Sequence, residues 1–182
     1  MHLNASWELK SDNMGILIKP VDSEIEISAV SDLAFTIWNE YYTPIIGKAQ
    51  VDYMLEKYQS REAIAVQIRE EKTEYYLIHT ALVPIAYVAI IEKPGELFLS
   101  KLYVLERERG KGFGRIAINF ISARCRAKNL DYITLTVNKN NHIAIKAYEK
   151  LCFEKYGEVV MDIGSGFEMD DYMMRLTVEP YS

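Results

Sequence analysis

The chain has 182 residues, 49% of them hydrophobic, which is enough for one domain with a sizeable core. Its net charge of −5 means that the surface as a whole repels nucleic acid. No apolar run approaches the length of a membrane helix, and the first residues lack the charged-then-apolar order of a signal peptide. No membrane partner is therefore expected. With only Cys125 and Cys152, a disulfide framework is not indicated, and free thiols in a reducing cytoplasm are expected.

Residues 1–13 are polar and unpatterned and read as an N-terminal tail, with one domain over 14–182. Gly15 to Pro20 reads as a first strand. Ile27, Val30, Ala34, Ile37, Trp38 and Tyr41 have helical spacing, which predicts a helix over 27–42 that Thr43-Pro44 ends. Lys48 to Tyr58 and Arg61 to Glu71 read as two further helices. Tyr75 to His79 and Val83 to Ile91 read as antiparallel strands, followed by a turn at Pro94-Gly95. Leu97 to Leu105 is an apolar, aromatic run that predicts a buried strand. A charged turn, Glu106-Arg107-Glu108, follows it. Then come three glycines in five positions, Gly110, Gly112 and Gly114, and a long helix with Ile116, Phe120, Ala123 and Ala127 on one face. Tyr132 to Val137 is a strand, Asn141 to Leu151 a helix, and Phe153 to Ile163 and Phe167 to Val178 two closing strands. This order predicts an α/β (α+β) domain with a mixed central sheet of about seven strands flanked by helices.

The strand, Gly-rich loop and helix between Leu97 and Ala127 are where function is legible. A helix N-terminus offers unpaired N–H groups to an anion, and Arg109, Lys111 and Arg115 add positive charge around it. A phosphate-bearing ligand follows. The G-x-x-x-x-G-K-[ST] loop of a nucleotide triphosphatase is absent, and Gly110-x-Gly112-x-Gly114 is one residue short of the dinucleotide-binding G-x-G-x-x-G.

Arg109-x-x-Gly112-x-Gly114 resembles the [R/Q]-x-x-G-x-[G/A] pyrophosphate loop of the GCN5-related N-acetyltransferases, the GNAT superfamily. Asn141-His142-Ile143-Ala144 with Tyr148, Lys150 and Phe153 resembles the second motif of that superfamily, N-x-x-A-x-x-x-Y-x-K-x-G-F. One position departs, with Cys152 where the motif has glycine, so the turn after the helix must tolerate a side chain. The resemblance implies acetyl-coenzyme A as co-substrate and direct acetyl transfer to a primary amine. It implies that Arg109, Gly110, Lys111, Gly112, Phe113, Gly114 and Arg115 hold the pyrophosphate. The pantetheine arm would lie along Leu102, Tyr103 and Val104 like an added strand, with the N–H of Tyr103 or Val104 serving the developing oxyanion. The amide of Asn141 would contact the cofactor, although an N-cap accounts for it equally well. Tyr148 would protonate the departing sulfur.

The amine must also lose a proton. Glu96 and Glu92, beside Pro94-Gly95, are the nearest carboxylates in sequence, and Glu96 is taken as the base. His79 reads as a structural histidine and His142 as an exposed one. No metal is indicated. Acidic groups gather at Glu24, Glu26 and Glu40 and at Glu168, Asp170 and Asp171, and could attract a polyamine or a peptide N-terminus. Trp38, Tyr41 and Tyr42 either line an acceptor slot or pack the core. The chain is similar in outline to bacterial polyamine acetyltransferases, so a small polyamine-like amine is the favoured acceptor. A peptide N-terminus, an amino sugar and a non-catalytic acyl-CoA sensor stay open as alternatives, as does a homodimer.

Overall fold

A computed structural model describes residues 7–9 and 15–179 of the protein. The described strands form one mixed sheet of eight in the order β1-β2-β3-β4-β5-β6-β8-β7. The strands are β1 (Trp7–Leu9), β2 (Ile16–Pro20), β3 (Glu74–Thr80), β4 (Val83–Lys93), β5 (Glu96–Val104), β6 (Tyr132–Asn138), β7 (Glu154–Gly164) and β8 (Phe167–Thr177). The expected mixed α/β architecture is therefore present, with one strand more than the approximate seven. The addition is β1, which pairs antiparallel with β2 through Trp7 and Ile18 and falls inside the stretch read as a tail. The rest of that stretch lies outside the described residues.

The helices are α1 (Glu24–Tyr41), α2 (Thr43–Ile46), α3 (Lys48–Gln59), α4 (Arg61–Arg69), α5 (Phe113–Ala127) and α6 (His142–Lys150), with a 3-10 turn at Glu106–Glu108. Helix α1 starts one turn earlier than its apolar spacing predicts. Ser23 accepts from the Glu26 N–H, and the Glu26 carboxylate accepts from the Ser23 N–H in return. Thr43-Pro44 ends α1 as expected and also opens α2, because proline at a helix start gives up only an N–H that has no partner there.

Two compact packing units make up the chain. The first comprises residues 1–89 and 101–113, the second 90–100 and 114–182. In the first, β4 is buried without interruption from Ile85 to Ala89, the signature of a strand covered on both faces. Helix α1 buries Ile27, Val30, Leu33, Ala34, Ile37 and Trp38 along one stripe. This core also contains Lys101, which is 8% exposed. Its ammonium donates to Gln67 Oε1 at 2.8 Å and lies over the Tyr75 ring, 5.2 Å from the centroid. Gln67 Oε1 also accepts from the Tyr75 hydroxyl at 2.6 Å, and its Nε2 donates to the Tyr58 carbonyl. Among the described residues no carboxylate hydrogen-bonds this ammonium, although the charge of Glu71 acts on it. Burial pulls the Lys101 amine down to about 8.

In the second unit, β5 and β6 start side by side and parallel, with Glu96, Leu97 and Phe98 opposite Tyr132, Ile133 and Thr134. The ladder ends there, and Leu99 and Ser100 have no partner on β6. Strand β6 continues against β8 as far as Asn138 opposite Asp171. The core is built from Leu97, Leu99, Ala117, Ile118, Ile121, Ile133, Leu135 and Met174.

Helix α6 ends in a tight motif. The Cys152 N–H donates to the Glu149 carbonyl and the Phe153 N–H to the Tyr148 carbonyl, both at 3.0 Å. Cys152 sits at φ 67°, and the Phe153 ring packs edge-on to Tyr148 with centroids 5.4 Å apart. This is a Schellman cap with its hydrophobic contact, and its left-handed position favours glycine. An L side chain there costs roughly 1–2 kcal/mol. The departure seen in the motif at Cys152 thus falls where backbone strain is stored, and the turn keeps its geometry regardless.

Two measurements check these points. Cys152→Gly, at an exposed position, is expected to stabilise the fold by about 1 kcal/mol and raise Tm by roughly 2–4 °C. Lys101→Met is expected to raise stability at pH 7 by about 2 kcal/mol, since the folded chain no longer buries a charge. The Lys101 amine is held below its unfolded value of 10.5. The unfolded chain therefore binds the extra proton between about pH 8 and 10.5, wild-type stability rises across that window, and the advantage of the variant shrinks there. Denaturant midpoints at pH 7 and pH 10 give the comparison.

Candidate active site

In the first unit, the loop after β5 has the features an anion needs. Gly110 and Gly112 lie at φ +77° and +92°, a region open to glycine. A Cβ placed on Gly110, Gly112 or Gly114 would meet no heavy atom within 4 Å. Among the described residues, the N–H groups of Gly110, Lys111, Gly112 and Phe113 donate to no turn, loop or cap carbonyl. Gly112 has no side chain to cap the helix that follows, and the first N–H groups of α5, those of Gly114 and Arg115 included, have no partner within a helix. The loop thus carries a run of backbone donors without carbonyl partners immediately before a 15-residue helix in the chain.

Arg109 is held in place before this loop. Its Nε donates to the Val104 carbonyl at 3.1 Å, and its guanidinium lies 4.1 Å from the centroid of the Tyr41 ring. The planar group can stack on the ring and still present its Nη atoms. Lys111 pairs with Glu108 at 3.0 Å, so part of its charge is neutralised locally. Arg115 is exposed on the first turn of α5.

The strand end before the loop meets an aromatic cluster. Tyr103 lies 5.5 Å from Trp38, 5.8 Å from Tyr42 and 5.2 Å from Tyr87, centroid to centroid, and Trp38 stacks on Tyr42 at 4.5 Å. Trp38 and Tyr87 are buried, whereas Tyr41, Tyr42 and Tyr103 are half-buried. The three rings of α1 are visible in the sequence as an i, i+3, i+4 set. That Tyr87 and Tyr103 join them is not, because strand pairing brings them there.

In the second unit, Asn141 is buried and caps α6, its Oδ1 accepting from the Ala144 N–H at 3.1 Å. Tyr148 lies two turns on, half-buried, with its hydroxyl in the desolvated part of the ring's surroundings. Burial raises its phenol well above the ordinary value, so it stays protonated at any physiological pH.

Glu96 does not join the other residues expected at the site. It is the first residue of β5, and its Oε1 accepts from the Thr134 hydroxyl at 2.9 Å. Its β6 neighbour is Tyr132, at the other end of that strand from Asn138 and the start of the helix that carries Tyr148. Glu92 is paired with Lys128. Proximity in sequence to a turn misleads here because the turn lies at the opposite end of the strand from the loop. Three of the six acidic groups expected to attract a polyamine are engaged. Glu24 pairs with Arg69 and Glu26 caps α1, both at the far end of that helix from Tyr41, while Asp170 pairs with Lys139. Among the described residues no group of three or more His, Cys, Asp or Glu is placed to hold a metal ion, and no helix is long and apolar enough to cross a membrane.

Comparison with known proteins agrees with this geometry. A sequence model described as the acetyltransferase (GNAT) family matches residues 32–153, about two thirds of the chain. No curated protein matches it in sequence. Among solved structures, the fold is similar to the PaiA N-acetyltransferase of Thermoplasma acidophilum in complex with coenzyme A, at 17% identity over 90% of this chain and 99% of that one, TM-score 0.73. It is similar to the ribosomal-protein-S18-alanine N-acetyltransferase of Escherichia coli, at 14% identity over 92% and 96%, TM-score 0.67. It is also similar to a variant of the spermidine N-acetyltransferase of Vibrio cholerae, at 19% identity over 89% and 93%, TM-score 0.62. With the family's loop, helix and strand arrangement all present, the chain belongs to the acetyltransferase (GNAT) family, the transferases that take their acetyl group from acetyl-coenzyme A.

Proposed function

We propose that the protein transfers the acetyl group of acetyl-coenzyme A to a small primary amine. The observation that supports this reading is the loop after β5, where Gly110 and Gly112 adopt positive φ, the N–H groups of Gly110 to Phe113 donate to no turn or loop carbonyl, and the Arg109 side chain is fixed on the Val104 carbonyl. The loop would take the diphosphate through its amides, and Arg109 would add a charge-assisted contact. The early end of the β5–β6 ladder supports a pantetheine arm running along Leu102 to Val104. When bound, the co-substrate supplies a thioester carbonyl, and the Tyr103 or Val104 N–H would stabilise charge on its oxygen. Tyr148 would donate its phenolic proton to the departing sulfur, a role that its place in the α6 motif supports. Asn141 orients the start of α6 through its cap.

For the acceptor, the ring faces of Tyr42 and Tyr103 support an ammonium group better than the engaged carboxylates do. A short alkylamine is therefore the first choice, with polyamines next to it in the same panel. The two free cysteines, one buried and one exposed, support a cytoplasmic setting.

The test is release of free thiol from acetyl-coenzyme A with a panel of monoamines, polyamines, amino sugars and short peptides. A small amine is expected to give turnover. Tyr148→Phe is expected to lower kcat by roughly 10²–10⁴-fold while acetyl-coenzyme A still raises Tm. Gly112→Val, which forces a β-branched residue to φ +92°, is expected to abolish that rise. A Tm shift without thiol release for any amine would favour a sensor that binds acyl-CoA without turnover.

A further inference from the structure

The core of the first unit contains a cation to which the acetyl transfer gives no role. Lys101 of β5 is buried, and its ammonium donates to Gln67 Oε1 of α4 at 2.8 Å and lies 5.2 Å from the centroid of the Tyr75 ring of β3. The carboxylate whose charge reaches it, Glu71, is exposed just beyond α4. The groups that enclose the ammonium are thus neutral, and a charge buried among neutral groups costs stability. A methionine there would pack without that cost.

The position of Lys101 supplies a reason for its presence. It stands two residues before Tyr103 on the same strand, so the two share a face about 7 Å apart along β5. Tyr103 is the meeting point of the aromatic cluster, with Trp38, Tyr42 and Tyr87 around it. Tyr87 links the cluster back to the lysine, because the Tyr75 phenol under the Lys101 ammonium acts electrostatically on the Tyr87 phenol. A second cation stands on the other side of Tyr103. Arg109 Nε donates to the carbonyl of Val104, the next residue, at 3.1 Å. Glu40, the carboxylate of α1 nearest these rings in sequence, is exposed and two residues from both Trp38 and Tyr42, on the other side of the helix. All of these groups belong to the first unit.

We infer that Lys101 makes the acceptor slot selective for amines with a single positive charge, so that the protein takes linear monoamines in preference to diamines and polyamines. The inference rests on the N-acetyltransferase reading above, with the acceptor on the ring faces of Tyr42 and Tyr103. The reacting nitrogen gives up its charge before it attacks the thioester, so a cation in the wall of the slot favours its reactive form. A second ammonium keeps its charge throughout and is repelled by Lys101 and Arg109 across a poorly screening interior. Repulsion of the wrong substrate is as effective a source of selectivity as attraction of the right one. Burial draws the Lys101 amine down to about 8, which leaves it mostly protonated at pH 7.

The experiment compares kcat/KM at pH 7, read as thiol release from acetyl-coenzyme A, within pairs of amines of equal length. Pentylamine is set against the four-carbon terminal diamine, and heptylamine against the six-carbon one. The wild type is expected to prefer the monoamine of each pair by about tenfold or more, the effect of one like charge roughly 10 Å away inside a protein. Lys101→Met and Lys101→Gln are each expected to reduce that preference about tenfold, and Lys101→Arg, which restores the charge, is expected to keep it. A ratio taken within one variant cancels any general loss of activity, and acetyl-coenzyme A is expected to raise the Tm of each variant as it does for the wild type. Equal use of monoamine and diamine by the wild type, a preference unchanged in Lys101→Met and Lys101→Gln, a preference lost in Lys101→Arg, or turnover confined to amines outside these pairs would overturn the role of Lys101 and leave the N-acetyltransferase reading intact. Failure of the wild type to release thiol with any amine would instead sink that reading.

Discussion

A helix that starts without a cap leaves several backbone amides with nothing in the protein to bond to. Three of the six helices avoid that state. Ser23, Ser60 and Asn141 each turn a side-chain oxygen onto the amides that follow. Helix α5 has Gly112 in that place instead, after a loop whose glycines adopt positive φ. Those donors are what the proposed diphosphate contact draws on. The surrounding structure serves this loop. Strand β5 delivers the chain to it, and Tyr41 and the Val104 carbonyl hold Arg109 beside it.

The two charged residues inside the cores illustrate opposite ways of placing polarity in a low-dielectric interior. Lys101 is surrounded by a small network of neutral groups, Gln67 and Tyr75, that satisfies part of its ammonium. Asp171 receives the Thr136 hydroxyl on one side and leaves Oδ1 without a donor. Both groups titrate closer to neutrality than their exposed counterparts, for the shared reason that burial penalises the charged form.

Tyr148 depends on a different local device. A helix that ends in a left-handed residue must reverse its chain within two positions, and the reversal sets Phe153 against the tyrosine ring. Cys152 carries out that reversal with a side chain where the family motif has glycine. The hydrogen bonds of the turn and the ring contact together hold a backbone conformation that an L residue disfavours.

Read as a string, the chain determined its element order, the mixed α/β class, and the loop and helix motifs of the acetyltransferase family. Periodicity and glycine placement are local properties, and local physics reads them directly. The same local rules held a signal that apolar spacing passed over, the Ser23 and Glu26 pair that starts α1 a turn earlier. Only the tertiary structure decided which polar groups meet. Pairing of β5 with β6 sets Glu96 opposite Tyr132, and pairing of β6 with β8 sets Asp171, thirty-three positions along the chain from Asn138, directly opposite it. Register between distant strands fixes those neighbours, and register depends on how whole faces bury together.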